Sequence, residues 1–228
     1  MPGDLRPEYV WYTAYGSNTD VERLRLYIQG GRSDGASRIY PGCRDRRMPR
    51  RSMPVEMAGV MYFATESAVW GGGRAFYDAW GEGRVLARAH LVTAGQFADI
   101  AAQEMYREPG PELDLRDVLT RGKATLGDGR YETLVYAGQR DGVPLLTFTA
   151  PWGLTDVRGN PPSAPYLRHI ASGLHSTGAW DTETIASYLA ACPGAAGHWT
   201  EAAVTDLPLP PTPPSTTDRT VWSGPGPS

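Results

Sequence analysis

The 228-residue chain lacks the features of several specialised classes of protein. Cys43 and Cys192 are its only cysteines, too few for a disulfide scaffold or for a zinc site built from cysteine alone. It has no apolar run of about 18 residues, the length that a membrane-spanning helix needs, and no basic-then-apolar start typical of a secretory signal. A net charge of −3 argues against general nucleic-acid binding. We therefore expect a globular protein of the reducing cytoplasm, with neither nucleic acid nor membrane as a partner.

Lysine is nearly absent, because 21 of the 22 basic residues are arginine and Lys123 is the exception. Codon bias in a GC-rich genome explains most of this excess, together with the abundant Gly and Pro. Six arginines nevertheless cluster within residues 38–51, and arginine suits bidentate contact with a carboxylate or phosphate. The six are Arg38, Arg44, Arg46, Arg47, Arg50 and Arg51. The cluster is either a solvated loop or a surface that binds an anionic group.

Motifs of the common hydrolases and nucleotide-binding proteins are also missing. The four histidines do not fall in a His-Glu-x-x-His or His-x-Glu pattern, which argues against a zinc hydrolase. There is no Gly-x-Ser-x-Gly elbow and no Walker loop. Gly71–Gly73 lacks the helix start that a phosphate-binding loop needs, so we interpret it as a turn.

Strand and helix patterns are mixed without a regular strand–helix–strand repeat, which predicts an α+β domain with a mostly antiparallel or mixed sheet. Apolar and β-branched runs predict strands at 9–14, 57–64, 74–77, 84–93, 131–137 and 143–149. Helical spacing predicts helices at 19–28, 95–105, 163–174 and 181–192, and a short one near 113–119. Residues 29–54 are predicted to be a long loop.

The composition changes at Leu207, where Pro, Ser, Thr and Gly begin to dominate. We therefore expect one domain over residues 1–206 and an extended, Pro-rich tail over residues 207–228. Within the tail, Val221 and Trp222 are available to pack against the body of the protein.

The segment Tyr15-Gly16-Ser17-Asn18 separates the first predicted strand from the first predicted helix. A strand that passes through a glycine turn into a helix start directs several backbone N–H groups one way, which suits a carboxylate or a developing oxyanion. Gly16 lets a ligand approach the backbone. The alternative is an ordinary loop with an asparagine cap, and spacing alone does not separate the two interpretations.

Glu104 is the second candidate. Phe97, Ile100, Ala101 and Glu104 fall at i, i+3, i+4 and i+7, which places them on one stripe of a helix. Because that stripe should face the core, Glu104 is expected to point inward, where an apolar wall disfavours its charged form, as a general base requires. The alternative is an exposed glutamate on the last helical turn.

The sequence 12–18 (YTAYGSN) resembles the opening signature of the γ-glutamyl cyclotransferase superfamily. Three later segments resemble further motifs of that family in the same order: 97–104, which ends in Glu104, 131–136 (YETLVY), and 162–173, which carries a Pro-Ser-x-x-Tyr helix start. The four motifs span residues 11–174. Residues 60–105 also resemble an actinobacterial branch of the superfamily.

The resemblance implies a γ-glutamyl cyclotransferase-like α+β fold, with a mixed, barrel-like sheet and flanking helices. It implies a pocket for a small-molecule γ-glutamyl substrate, Glu104 as the catalytic acid/base, and no metal or organic cofactor. The implied substrate-binding residues are Tyr15, Gly16, Ser17, Asn18, Tyr131 and Tyr166.

The leading functional hypothesis is an acyltransferase or amide-bond lyase that cyclises a γ-glutamyl amide, releasing 5-oxoproline and an amine or amino acid. Arg44, Arg46 and Arg47 are then candidates to contact an anionic leaving group. One alternative is an amide hydrolase or deacylase on the same fold. Another is a non-catalytic binding module that uses the arginine cluster and the Pro-rich tail. The sequence does not indicate the leaving group or the oligomeric state.

Overall fold

The computed structural model describes residues 6–32, 39–210 and 221–223. Within these residues the helices are α1 (Val21–Gln29), α2 (Ala94–Glu104), α3 (Arg116–Arg121), α4 (Ala164–His175), α5 (Thr182–Ala191) and α6 (Glu201–Thr205). The strands are β1 (Tyr9–Ala14), β2 (Gly31–Arg32), β3 (Ile39–Tyr40), β4 (Ser52–Ala58), β5 (Val60–Ala64), β6 (Arg74–Asp78), β7 (Arg84–Thr93), β8 (Lys123–Thr125), β9 (Thr133–Arg140), β10 (Val143–Thr149) and β11 (Trp222–Ser223). In this part of the chain, no helix is both long and apolar enough to cross a membrane.

The main sheet has, among the described residues, the strand order β11-β4-β7-β1-β10-β9-β8. Two of its pairs, β1 with β10 and β11 with β4, are parallel, and the others are antiparallel. A separate hairpin of β5 and β6 is joined to the end of β10 by two hydrogen bonds between Tyr77 and Thr149, of 3.0 and 2.8 Å. The predicted α+β class with a mixed sheet and flanking helices is confirmed.

The helices cover both faces of the sheet. On one face, α4 and α5 bury Leu167 and Leu189 in one apolar cluster, and on the other, α1 and α2 bury Ile28 and Phe97 in a second. Burial of such side chains drives the layers together. Because β1 pairs with β7 on one side and β10 on the other, the loop that follows β1 leaves the middle of the sheet, between the two helical layers.

Several predicted boundaries are confirmed and others are wrong. The strands predicted at 9–14, 84–93 and 143–149 are confirmed, whereas the predicted strand 57–64 is two strands broken at Gly59. Gly59 has φ +117°, and a Cβ atom there would come within 2.5 Å of the Asp78 carbonyl oxygen. Residues 29–54, predicted as a loop, contain β2, β3 and the start of β4.

The first helix begins later than predicted. Residues 17–19 form a separate 3₁₀ turn, and Asp20 caps α1 by accepting a hydrogen bond from the Glu22 backbone N–H at 3.0 Å. Asn18 and Thr19 are therefore not the helix cap, which leaves the Asn18 side chain available for another contact.

The tail is partly built into the sheet. Trp222 and Ser223 pair in parallel with Val55 and Glu56 of β4, and the Trp222 ring lies against Gly138. Residues 211–220 and 224–228 of the Pro-rich tail lie outside the described residues, as does Arg38 of the arginine cluster.

Candidate active site

A cleft opens where the loop after β1 meets the end of α2. The first turn of α1 and the strands β6 and β10 complete its walls. Its lining includes residues singled out from the sequence: Tyr15, Gly16, Ser17, Asn18, Glu104, Tyr131 and Tyr166. The fold therefore brings together segments that are up to about 150 positions apart, as one cleft requires.

The loop rests directly on α4. The Thr19 hydroxyl and backbone N–H both donate to the Gly16 carbonyl oxygen, at 2.9 and 3.1 Å, and so close the 3₁₀ turn. Beneath the turn is Gly173, where an added Cβ atom would lie 2.3 Å from the Thr19 carbonyl carbon. This contact leaves no room for a larger residue at 173, so the loop is fixed from below.

Glu104 is the last residue of α2, and its position follows from how that helix begins and packs. Thr93 and Gln96 form a reciprocal capping box at the N-terminus. Phe97 and Ile100 are fully buried, and Glu104 continues their stripe to the edge of the core. It is half-buried and faces the cleft, so the inward orientation expected from the spacing is the observed one.

Asn18 connects the loop to Glu104. Its side-chain amide donates to Glu104 Oε1 at 3.1 Å and to the Tyr12 hydroxyl at 3.1 Å. The residue is 3% exposed. Its Oδ1 atom is buried without a hydrogen-bond partner among the described residues. An unpartnered acceptor of this kind is costly unless a ligand or water donates to it.

Arg23 is a cleft residue that sequence reasoning missed. Its guanidinium carbon lies 4.7 Å from the ring centre of Tyr40 and 5.1 Å from that of Trp70, both cation–π distances. Burial works against its charge, but Tyr27, Tyr40 and Glu104 together raise the pKa of Arg23 above its usual value. The one feature of the sequence that could have indicated Arg23 is its spacing of four residues from Tyr27, which places both side chains on one face of α1.

The tyrosines of the cleft are held by main-chain groups. The Tyr166 hydroxyl accepts from the Ala75 backbone N–H at 3.2 Å, and the Tyr131 hydroxyl donates to the Ala75 carbonyl oxygen at 3.0 Å. The Tyr15 hydroxyl donates to the Phe148 carbonyl oxygen at 2.9 Å. Burial raises the pKa of Tyr166 to about 12, so this phenol stays neutral at physiological pH.

Arg44, Arg46 and Arg47 are not among the residues that line the cleft, so the structure does not show their expected contact with a leaving group. Arg44 pairs with Asp99 at 3.0 Å, and Arg47 pairs with Asp45 at 2.7 Å. Arg46 donates to two backbone carbonyl oxygens, at 3.1 and 3.2 Å. Because their donors are directed at protein groups, these three arginines stabilise their own loop and its contact with α2.

Arg74, at the start of β6, is a second cleft cation that the sequence did not single out. Among the described residues, no carboxylate lies within salt-bridge distance of its side chain. Burial raises the pKa of both Tyr131 and Tyr166, and the nearby charge of Arg74 opposes this rise. Its position at the start of a predicted strand gave no indication of a site.

No group of three or more His, Cys, Asp or Glu side chains in the described ranges is arranged to hold a metal ion. His169 is paired with Asp20, Nδ1 to Oδ2 at 2.7 Å. Cys43 and Cys192 are both buried free thiols.

Comparison with known proteins gives distant similarities. No family model matches the chain. It is 27% identical over 206 residues to histone deacetylase 5 of Arabidopsis thaliana, a match that takes in 82% of this chain and 31% of that protein. The chain thus spans less than a third of the length of this curated relative.

Two solved structures are similar in chain trace. One is an uncharacterized protein from Homo sapiens, with 17% identity and a TM-score of 0.48 over 82% of this chain and 89% of that chain. The other is a gamma-glutamyl cyclotransferase, with 15% identity and a TM-score of 0.48 over 87% of this chain and 97% of that chain.

Proposed function

We propose that the protein cleaves a γ-glutamyl amide by cyclisation, releasing 5-oxoproline and a free amine or amino acid. The observation that carries this proposal is the 3.1 Å hydrogen bond between Asn18 and Glu104, in a cleft that Gly16 and Ser17 line beside this half-buried carboxylate. In this reaction the nucleophile belongs to the substrate. The enzyme then needs one carboxylate for proton transfer and a site that folds the substrate onto itself.

Glu104 takes a proton from the α-ammonium group of the substrate. The freed amine attacks the γ-carbonyl carbon, forming the C–N bond of a five-membered ring and placing negative charge on the carbonyl oxygen. When this tetrahedral intermediate collapses, the original amide C–N bond breaks. Glu104 returns its proton to the departing nitrogen, so the carboxylate is regenerated. The ring nitrogen loses its second proton to the released amine, which leaves as an ammonium ion. No metal or organic cofactor takes part.

The loop supplies the electrostatic part of the mechanism. Gly16 and Ser17 line the cleft with little side-chain bulk, so their backbone donors can approach the developing oxyanion. The buried Oδ1 atom of Asn18 accepts from the α-ammonium group beside Glu104, which satisfies the unpartnered acceptor. Tyr131 and Tyr166 form the wall against which the glutamyl chain packs.

Arg74 indicates the class of leaving group. Arg23 lies near enough to Glu104 for that carboxylate to raise the pKa of Arg23. The positive charge of Arg23 is therefore already balanced by a carboxylate of the protein. Arg74 has no such carboxylate partner among the described residues. A zwitterionic γ-glutamyl end adds no net charge, and a carboxylate on the leaving group would balance Arg74. We therefore favour γ-glutamyl amino acids or peptides over γ-glutamyl alkylamines.

The experiment is a product analysis. Purified protein is incubated with γ-glutamyl amino acids and γ-glutamyl alkylamines, and the products are identified by mass spectrometry. Formation of 5-oxoproline with equimolar free amine supports cyclisation. Release of glutamate would mean that water is the nucleophile, and the protein would then be an amide hydrolase. No turnover of any γ-glutamyl compound would refute both reactions.

A further inference from the structure

His90 occupies a central position in the sheet behind the cleft. Strand register pairs it directly with Ser52 of β4 on one side and with Tyr12 of β1 on the other. Directly paired residues share one face of a sheet, so the three side chains are neighbours. His90 is 1% exposed, and its ring centre lies 6.4 Å from that of Tyr12. The proposed chemistry does not use this buried imidazole.

Both ring nitrogens of His90 have partners, and these partners fix where its proton lies. Nε2 is 3.1 Å from the Asn18 carbonyl oxygen, and Nδ1 is 2.8 Å from Ser52 Oγ. Because a carbonyl oxygen can only accept, Nε2 must carry the proton, and Nδ1 of a neutral ring then accepts from the Ser52 hydroxyl. Burial, followed by the charge of Arg88, lowers the pKa of His90 to about 3, which keeps the ring neutral.

Strand β7 therefore holds the loop at two consecutive carbonyl oxygens. His90 donates to that of Asn18, and Arg88 donates to that of Thr19 at 3.4 Å. These two β7 residues are two positions apart, so both point to the same face. The side-chain amide of Asn18 is held separately, by the Tyr12 hydroxyl.

Asn18 is thus held at two groups, its backbone carbonyl oxygen by His90 and its side-chain amide by the Tyr12 hydroxyl, in addition to its contact with Glu104. If its carbonyl oxygen lost its donor, the 3₁₀ turn could rotate and withdraw the side-chain amide from Glu104 Oε1. A carbonyl group buried without a donor is itself unfavourable, which adds to the tendency to rotate. Ser52 contributes by holding the ring in the tautomer that can donate.

We propose that His90 is a positioning residue for the active site, and that its Nε2–H group, oriented by Ser52, holds Asn18 so that Asn18 holds Glu104. The kinetic part of this inference rests on the proposed function. The hydrogen-bond part does not, because it concerns the free protein.

The test compares two substitutions that differ in whether they retain a donor. His90→Leu removes the Nε2–H group at similar volume, and we expect kcat to fall about tenfold with KM changed by no more than about twofold. His90→Gln places an amide N–H near the same carbonyl oxygen and should recover most of kcat. His198→Leu, at an exposed position, is the matched control and should match wild type. A kcat for His90→Leu equal to wild type, or a glutamine variant no faster than the leucine variant, would overturn the proposal.

Nitrogen NMR gives a readout that does not depend on activity. In the wild-type protein the His90 ring should carry its proton on Nε2. The Asn18 side-chain amide should have chemical shifts that differ from those of a free amide, because the group is hydrogen-bonded. In His90→Leu those amide signals should move toward values of a free amide, and in His90→Gln they should stay. A proton on Nδ1, or Asn18 signals unmoved in His90→Leu, would contradict the inference even if no substrate is turned over.

If His90→Leu fails to fold, Ser52→Ala replaces it. This substitution keeps the ring and removes only the donor to Nδ1, so the Nδ1 signal and kcat should both change. An unchanged Nδ1 signal in a folded Ser52→Ala protein would refute the role of Ser52. Absence of 5-oxoproline formation by wild type, with the NMR result as expected, would refute the proposed function alone.

Discussion

The hydroxyl group of Tyr166 lies so close to Gly16 that a Cβ atom added at residue 16 would come within 3.2 Å of it. The same hydroxyl accepts from the Ala75 backbone N–H, which limits how far it can move away. Gly16 has φ −97°, a value that any residue adopts, so it is a glycine because of this close approach and not because of its backbone conformation.

We expect Gly16→Ala to reduce kcat/KM about three- to tenfold while leaving the thermal unfolding midpoint nearly unchanged. The added methyl group pushes the loop and Tyr166 apart at the cleft. Tyr166→Phe removes the opposing oxygen, so the double variant should lose less activity than the two single effects predict. Gly95→Ala is the control, because its Cβ would meet nothing closer than 3.8 Å. Strictly additive effects would show that this contact is unimportant.

Asn18→Asp tests the link to Glu104 with almost no change of shape. The substitution replaces an N–H donor with a carboxylate facing another carboxylate, and the two charges repel. We expect kcat/KM to fall about tenfold or more. Asn160→Asp is a matched control, because Asn160 donates to Glu66 at 2.9 Å outside the cleft. Equal losses in both variants would show that the effect is general destabilisation.

Arg74→Gln tests the preference for an anionic leaving group. γ-Glutamylalanine and γ-glutamylethylamide differ only in the carboxylate of the leaving amine. We expect wild type to favour the first by about tenfold in kcat/KM, and Arg74→Gln to bring the ratio near one. Arg47→Gln, which alters an arginine paired with Asp45, should keep the wild-type ratio. If Arg74→Gln slows both substrates equally, Arg74 contacts the shared glutamyl end instead.

The strands and helices with the strongest periodicity were predictable from the sequence. β1, β7 and β10 carry apolar and β-branched runs, and α2 carries the stripe that leads to Glu104. The strand break at Gly59 was not predictable from the apolar run. Its positive φ and the close approach of Asp78 become visible only in the folded chain. The parallel pairing of Trp222 with Val55 was also hidden, since a two-residue strand has no periodicity.

Within the site, the residues of the loop and Glu104 were predictable and the cations were not. Arg44, Arg46 and Arg47 are conspicuous as neighbours in sequence, yet each is directed at protein groups. Arg23 and Arg74 are 51 positions apart, and only the packing of β6 against α4 and the loop brings them to one cleft. Arginines that are neighbours in sequence need not line a cleft, because a cleft is formed by residues that are distant in sequence and meet only in the folded chain.

Asp20 should make stability depend on pH in the acid range. Burial opposes its charged form, but the hydrogen bonds from His169 and from the Glu22 backbone N–H outweigh this and lower the pKa of Asp20 below 3.8. The unfolded chain therefore takes up its proton first as the pH falls. The stability that Asp20 contributes is present above 3.8 and is lost as the pH drops through the lower folded-state pKa.

Urea unfolding of wild type and Asp20→Asn over a pH series checks this expectation. At neutral pH the variant should be less stable by about 1 kcal/mol, because asparagine still caps α1 but loses the charge facing His169. The difference should shrink as the pH falls toward about 3. Asp206→Asn, at an exposed site, should show no such trend. A constant difference at all pH values would contradict the assignment.

The role of Glu104 as general acid/base is tested by the rate of 5-oxoproline formation by Glu104→Gln. Glutamine keeps the size of the side chain and the contact with Asn18, but it cannot accept the substrate proton. With a γ-glutamyl substrate that wild type cyclises, we expect the variant to lose at least about a hundredfold in kcat. Glu108→Gln, an exposed position four residues further along the chain, should retain the wild-type rate. A folded Glu104→Gln protein that forms 5-oxoproline as fast as wild type would show that Glu104 is not the general acid/base.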